Sequence, residues 1–144
     1  LALAGKLGAD VTLDASTWSV VDDVKDATNG RDPEVVFEAA GENDAVMQAA
    51  EMVRPGGTII LGGIPDDDRI LLKAGTVRRK GLTIQLLRRS RNTLRKSIDL
   101  VAEGKINVAA YVTHRFSLEQ TAEALETARS CRDRALRVVV QVSS

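Results

Sequence analysis

The sequence feature that most constrains the fold is a short apolar segment framed by two glycine pairs. Thr58-Ile-Ile-Leu61 follows the turn Arg54-Pro-Gly-Gly57 and precedes Gly62-Gly63-Ile64-Pro65. A run without polar alternation is typical of a strand covered on both faces, as in a parallel sheet. Because parallel strands need long crossover connections, which are usually helical, the neighbouring segments are expected to contain helices.

Strands and amphipathic helices alternate along the first part of the chain, which predicts right-handed crossovers and a doubly wound parallel α/β sheet. Glycines and polar turn residues separate the elements. In chain order the pattern predicts the end of a helix over residues 1–7, a strand over Val11–Asp14, a helix capped by Ser16, a strand over Val35–Ala40, a helix over Asn43–Val53, the strand Thr58–Leu61, a short helix with Leu71 and Leu72 inward, and a strand over Leu82–Leu87.

Beyond residue 88 the rhythm changes to two helices and a final strand. Asn92 is a candidate cap for a helix that carries Leu94, Ile98 and Val101 on one face. Ser117-Leu-Glu-Gln120 has the form of a capping box. It precedes a helix with Leu118, Ala122, Leu125 and Ala128 on one face, and the last strand is expected over Leu136–Val142.

Composition excludes several function classes. Twenty acidic and twenty basic residues give no formal net charge, so no global field attracts nucleic acid or an anionic membrane. Eight basic residues between Arg78 and Lys96 are interpreted as a solvated face rather than a nucleic-acid surface. No apolar run predicts a membrane span or a signal peptide. A single cysteine, Cys131, is typical of a reducing compartment, so a cytoplasmic location is expected.

The residues predict neither a metal site nor a catalytic constellation in this chain. Zinc needs three or four converging ligands, and the chain has one histidine, His114, and one cysteine. Asp66-Asp67-Asp68 lacks the glycine and the distant glutamate of a calcium loop and is interpreted as a solvated loop. His114 is expected to form a structural hydrogen bond at the start of a turn over Arg115-Phe116.

Four stretches, in this order, resemble the C-terminal portion of the medium-chain, zinc-type alcohol and polyol dehydrogenases. They are Lys6-Leu-Gly-Ala-Asp10, Val35-Val-Phe-Glu-Ala-Ala-Gly41, Val53-Arg-Pro-Gly-Gly57 with Leu61-Gly-Gly-Ile-Pro65, and Val112-Thr-His-Arg-Phe-Ser-Leu-Glu119. The resemblance implies that residues 1–87 are the later part of an NAD(P)-binding Rossmann domain. It implies that residues 88–144 are helices and a strand that return to a GroES-like catalytic domain.

In this family the catalytic domain, the glycine-rich turn and the first two Rossmann strands precede the portion resembled here. With the strand order 3-2-1-4-5-6, strands 1 and 2 would lie between the Val11 strand and the Val35 strand. The resemblance therefore predicts that these 144 residues form only part of a sheet, as a truncated record, a proteolytic product or one component of a larger assembly, and are inactive alone. Zinc is expected only in the preceding half.

Open α/β sheets bind ligands at the carboxyl ends of their strands, which directs attention to three clusters. By resemblance, two clusters of small residues line the adenosine and nicotinamide sides of NAD or NADP, and Arg89 reaches the cofactor phosphates. Gly41 and Gly63 have an alternative reading as turn residues with positive φ. The predicted cofactor-binding residues are Ala39, Ala40, Gly41, Gly62, Gly63, Leu87, Arg88 and Arg89. Arg88 and Ser90 depart from the aromatic residues that are usual in sorbitol-type members, so polyol specificity is left open.

The function implied for the full-length protein is hydride transfer between a nicotinamide cofactor and an alcohol or polyol or its carbonyl product. Two alternatives remain at this point: a zinc-free quinone or enoyl reductase of the same superfamily, and a non-enzymatic nucleotide-binding or assembly module. The resemblance also implies that the strand over Leu82–Leu87 is a sheet edge that pairs with a second copy, giving a homodimer.

Overall fold

The computed structural model describes residues 1–16 and 19–142. The chain forms two compact units, Leu1–Arg89 and Ser90–Ser144, and each is considered by itself. Among the described residues, no helix has the length and apolar character needed to cross a membrane.

The first unit contains a three-stranded parallel sheet. Its strands lie in the order β1-β2-β3, with Val35 opposite Thr58 and Thr58 opposite Thr83. In chain order the elements are α1 (Ala2–Lys6), α2 (Val20–Ala27), β1 (Val35–Glu38), α3 (Asn43–Met52), β2 (Thr58–Leu61), α4 (Ala74–Lys80) and β3 (Thr83–Leu86). Parallel pairing of three consecutive strands confirms the predicted α/β fold and its partial sheet.

The core of this unit lies between α3 and one face of the sheet. Helix α3 buries one side against Ile59 and Leu61 of β2, as the helical spacing predicts. The fully packed residues of the cluster are Val46, Ala49, Ala50, Val53, Ile59 and Leu61, with Leu72 and Val77 packed beside them. Lys80 closes the end of α3, because its Nζ donates to the carbonyl oxygens of Glu51 at 2.6 Å and Val53 at 2.7 Å.

The opposite face of the sheet is open within the described residues. Side chains alternate along β1, so Val36 and Glu38 face α3 whereas Val35 and Phe37 face the other way. Phe37 is 68% exposed. Among the described residues of the first unit, helices therefore cover only one face of this sheet.

Three predictions for this unit are wrong in detail. Val11–Asp14 forms no strand, because a strand needs a hydrogen-bonded neighbour. The sheet of the described residues contains β1, β2 and β3, and none of them pairs with this segment. Helix α2 begins after Ser19, whose Oγ donates to Asp23 at 3.0 Å, and not after Ser16. No helix includes Leu71 and Leu72, and Leu71 is exposed.

The second unit is a small β-α-β arrangement preceded by a helix. Its elements are α5 (Leu94–Ala102), β4 (Val112–Ser117), α6 (Thr121–Ser130) and β5 (Arg137–Gln141), with 3₁₀ turns at Val108–Tyr111, Leu118–Gln120 and Arg132–Arg134. Strands β4 and β5 pair in parallel. The predicted capping box is confirmed, since the Ser117 amide donates to Gln120 Oε1 at 3.2 Å.

Other predictions for this unit are corrected by the structure. Arg115 and Phe116 lie within strand β4 rather than in a turn, and His114 contacts Thr113 Oγ1 through Nδ1 at 3.0 Å. Helix α6 buries Ala124 and Thr127, whereas Leu125 of the predicted inward face is 67% exposed. Helix α5 begins after Thr93, and the candidate cap Asn92 has a φ of 55°. The apolar residues of α5 and α6 form faces that this unit leaves uncovered.

Candidate functional site

Parallel pairing brings the carboxyl ends of β1, β2 and β3 to the same edge of the sheet. The loops that leave β2 and β3 enclose a crevice of about 500 Å³. Its lining residues are Leu61, Gly62, Gly63, Ile64, Pro65, Asp68, Ile70, Leu86, Leu87, Arg88 and Arg89. An open crevice at this edge is the usual ligand position in parallel α/β sheets.

Five of the eight predicted cofactor residues line this crevice. They are Gly62, Gly63, Leu87, Arg88 and Arg89. The other three follow β1: Ala39 and Ala40 are exposed, whereas Gly41 is buried against the loop after β2. The structure thus brings the second and third predicted clusters together around one cavity and joins the first cluster to it through Gly41.

The glycines at this edge are needed for two different reasons. Gly41 has a φ of 77°, a left-handed conformation that favours glycine. Gly63 is needed for space, because a Cβ atom there would lie 2.2 Å from the Gly41 nitrogen and 2.6 Å from Glu38 Oε2. The alternative reading as a turn residue with positive φ holds for Gly41, whereas Gly63 allows two loop backbones to approach each other closely.

Glu38, which the sequence interpretation did not single out, joins the loops after β1 and β2. Its Oε1 accepts hydrogen bonds from the amides of Ala40 and Gly41, each at 2.7 Å. Its backbone oxygen accepts from the amides of Gly62 at 2.7 Å and Gly63 at 3.1 Å. Strand alternation is a signal that could have identified it, since Glu38 shares the inward face of β1 with Val36.

The rim of the crevice carries charges of both signs. Arg88 and Arg89 are exposed on the β3 side. Asp68 belongs to the β2 side, where its amide donates to the Pro65 oxygen at 3.1 Å and its φ is 53°. The acidic loop received no role from sequence, but the structure makes Asp68 part of the wall. Ile64, Ile70 and Leu87 provide the apolar surface between these charges.

The second unit has a cleft of its own at the carboxyl ends of β4 and β5. It measures about 430 Å³ and contains none of the predicted site residues. A hydrogen bond from the Ser117 hydroxyl lowers the pKa of Glu119, one of its lining residues, below the ordinary value. This cleft is lined by one arginine, Arg115, and one carboxylate, Glu119, whereas the first crevice has two arginines and Asp68.

The described residues fit a dinucleotide but not a zinc ion. A dinucleotide fits the chemistry of the first crevice, because two guanidinium groups suit a diphosphate and the apolar wall suits a flat ring. Zinc does not fit, since residues 1–16 and 19–142 contain no group of three histidine, cysteine, aspartate or glutamate side chains able to hold a metal ion.

Comparisons with known proteins identify the family to which the chain is similar. The family model for zinc-binding dehydrogenases matches residues 1–103. The sorbitol dehydrogenase of Bacillus subtilis is 31% identical over 140 residues, which are 97% of this chain and 40% of that protein. The alcohol dehydrogenase of Thermus sp. ATN1 superimposes with a TM-score of 0.85 at 28% identity, over 97% of this chain and 40% of that one. A Sinorhizobium meliloti chain bound to NADP gives 0.76 at 25% identity, over 86% of this chain and 37% of that one.

The loop contact predicts different costs for substitutions at the two neighbouring glycines. Gly63→Ala should lower the free energy of unfolding by roughly 1–3 kcal/mol, because the new methyl group would overlap the Gly41 backbone. Gly62→Ala is the matched control. Its Cβ would lie 3.2 Å from the flexible Leu87 side chain and 3.3 Å from the Glu38 carbonyl oxygen, both longer than the contacts at Gly63, and should cost less than about 1 kcal/mol. Urea denaturation followed by circular dichroism measures both, and equal losses would contradict the predicted overlap.

Proposed function

The chain belongs to the zinc-binding dehydrogenase family, and on that premise we propose that it contributes one wall of the nicotinamide-dinucleotide cleft of an oxidoreductase. The full-length protein would transfer a hydride between NAD or NADP and a small alcohol or polyol, or the corresponding carbonyl compound. Because the chain spans about 40% of the length of its Bacillus subtilis relative, this activity belongs to a larger polypeptide. The 144 residues alone are expected to be inactive.

One observation carries the proposal: two arginines and an apolar wall converge on one crevice at the carboxyl edge of a parallel sheet. Arg88 and Arg89 are exposed at its rim and their guanidinium groups can each donate two parallel hydrogen bonds to phosphate oxygens. Gly62 and Gly63 line the same crevice, and the close packing of Gly63 on the Gly41 loop holds this wall in place. A crevice with these features is chemically complementary to one side of a dinucleotide.

Within that scheme each residue has a defined task. Arg88 and Arg89 would bind and neutralise the diphosphate, and Ile64 and Leu87 would exclude water from the neighbouring ring. A bound nicotinamide cofactor supplies the hydride acceptor or donor. The described residues contain no group of three side chains able to hold a metal ion, so the zinc ligands are proposed to lie outside these 144 residues.

The two units have separate proposed roles. Residues 1–87 are proposed as the later part of the cofactor-binding domain, and residues 88–144 as a segment that packs on a catalytic domain. The uncovered apolar residues of α5 and α6, including Leu94, Ile98 and Leu125, support the second assignment because large exposed apolar faces are typical of packing surfaces.

The lone, exposed thiol of Cys131 supports a cytoplasmic location.

If Arg89 binds the cofactor phosphates, removing this arginine should weaken cofactor binding, whereas removing an arginine outside the crevice should not. Arg89→Ala in the full-length protein should raise the NADH dissociation constant about tenfold or more, since hydrogen bonds to charged groups contribute roughly 1.5–3 kcal/mol. Arg79→Ala removes the same charge from α4, outside the crevice, and is the matched control. Calorimetry or NADH fluorescence measures both constants. Equal values for the two variants would contradict the role of Arg89, and no saturable NADH or NADPH binding by the unsubstituted protein would contradict the function.

We further propose that β3 is the dimer interface, because it is the last strand of its sheet and its outer edge is unpaired within the described residues. The amides of Thr83 and Leu87 donate to the Gly57 and Leu61 oxygens of the β2 side. Amides alternate in direction along a strand, so the amide of Leu86 faces the outer edge. Its side chain is 65% exposed.

Strand pairing between two copies predicts that Leu86→Pro converts a dimer into a monomer, because proline removes an outward donor and leaves the β2–β3 hydrogen bonds intact. Leu86→Thr changes the side chain and keeps the amide, so this control should remain dimeric. Light scattering of the full-length protein reports the molar mass of each. A monomeric unsubstituted protein, or a Leu86→Pro variant that stays dimeric, would exclude this interface.

A further inference from the structure

Glu38 is a buried carboxylate to which the proposed function assigns no role. The residue is 5% exposed at the end of β1. None of the ion pairs formed by the described residues includes it. Burial of a charge without a counter-charge is unfavourable unless hydrogen bonds compensate it. An apolar side chain would suit the neighbouring core of Val46 and Leu61 better, so the carboxylate requires a separate explanation.

The hydrogen bonds of Glu38 supply that explanation, because they fix the backbone of two loops at once. The side chain holds the amides of Ala40 and Gly41, and the backbone oxygen holds those of Gly62 and Gly63. Gly63 packs so closely that a Cβ atom there would lie 2.6 Å from Glu38 Oε2. One residue thus determines the shape of the sheet edge after β1 and the distance of that edge from the crevice wall.

The same contacts determine which part of a ligand can lie against this loop. The amides of Ala40 and Gly41 point toward Glu38 and are therefore not available to bind an anion. A buried negative charge directly beneath them also disfavours a phosphate group at this place. What the loop exposes is the apolar surface of Ala39 and Ala40, whereas the cationic groups that suit phosphate lie on the β3 side, at Arg88 and Arg89.

We infer that Glu38 is a positioning residue, which shapes the loop Ala39–Gly41 into an apolar surface for an uncharged part of the dinucleotide and withholds its amides from phosphate. The inference rests on the proposed cofactor cleft. It predicts that the reach of the Glu38 side chain matters for cofactor affinity and that its charge does not. Two conservative variants separate reach from charge.

Glu38→Gln keeps an acceptor oxygen at the same distance and removes the charge, so NADH affinity in the full-length protein should stay within about twofold. Glu38→Asp keeps the charge, but its carboxylate is one methylene too short to reach both amides, and the dissociation constant should rise about tenfold. Hydrogen exchange at Ala40 and Gly41 should be slow in the Gln variant and accelerated in the Asp variant. If the Asp variant fails to fold, Glu38→Met provides the comparison without a buried charge or an acceptor.

Val53→Ala is the control for a general loss of stability, since Val53 is fully buried and follows the C-terminal end of α3, whereas the loop Ala39–Gly41 precedes that helix. It should lower the melting temperature and leave NADH affinity unchanged. Equal affinity of the Asp and unsubstituted proteins, or equal loss in the Gln and Asp variants, would overturn the positioning role. Binding tightened about tenfold by Glu38→Gln would place an anionic group beside the carboxylate and overturn the assignment of an uncharged one. Absence of NADH binding in the unsubstituted protein would overturn the proposed function itself, and this inference with it.

Discussion

The close approach of two loop backbones at the carboxyl edge of the sheet is the constraint on which the candidate site depends. Gly63 leaves no space for a side chain because the Gly41 backbone and the Glu38 carboxylate occupy it. This contact holds the exit of β2 against the exit of β1, and the β2 exit forms one wall of the crevice. The sheet supplies the direction of the strands, whereas this junction supplies the local shape that a ligand would meet.

The uncovered surfaces of the chain follow from how its sheet is built. Helices α3 and α4 cover one face, and the other face presents Val35 and Phe37 to solvent. Burial of exposed apolar surface is favourable by about 25 cal/mol per Å², so covering this face would stabilise the fold. The chain spans 40% of the length of its Bacillus subtilis relative.

Much of the architecture could be predicted from sequence, because hydrophobic periodicity and turn residues are local features of the chain. The run Thr58–Leu61 was predicted with its observed bounds, α3 with nearly its observed bounds, and the family resemblance is confirmed by the match over residues 1–103. The incorrect predictions concern strand pairing and helix packing, which depend on residues distant in sequence. Val11–Asp14 has the composition of a strand but no neighbour to pair with, and Leu125 lies on an apolar helix face that the β4–β5 pair does not use. The roles of Glu38 and Asp68 appear only when separate loops are brought together.

We propose that the crevice formed by the loops after β2 and β3 is one wall of a dinucleotide site. Hydrogen–deuterium exchange of the full-length protein with and without NADH tests it most directly, since it reports where binding slows exchange along this chain. We expect NADH-dependent protection in peptides that cover Gly62–Pro65 and Leu87–Arg89, and none in the cleft of the second unit at Arg115–Glu119. Protection confined to that second cleft, or no protection in either region while NADH binds, would contradict it.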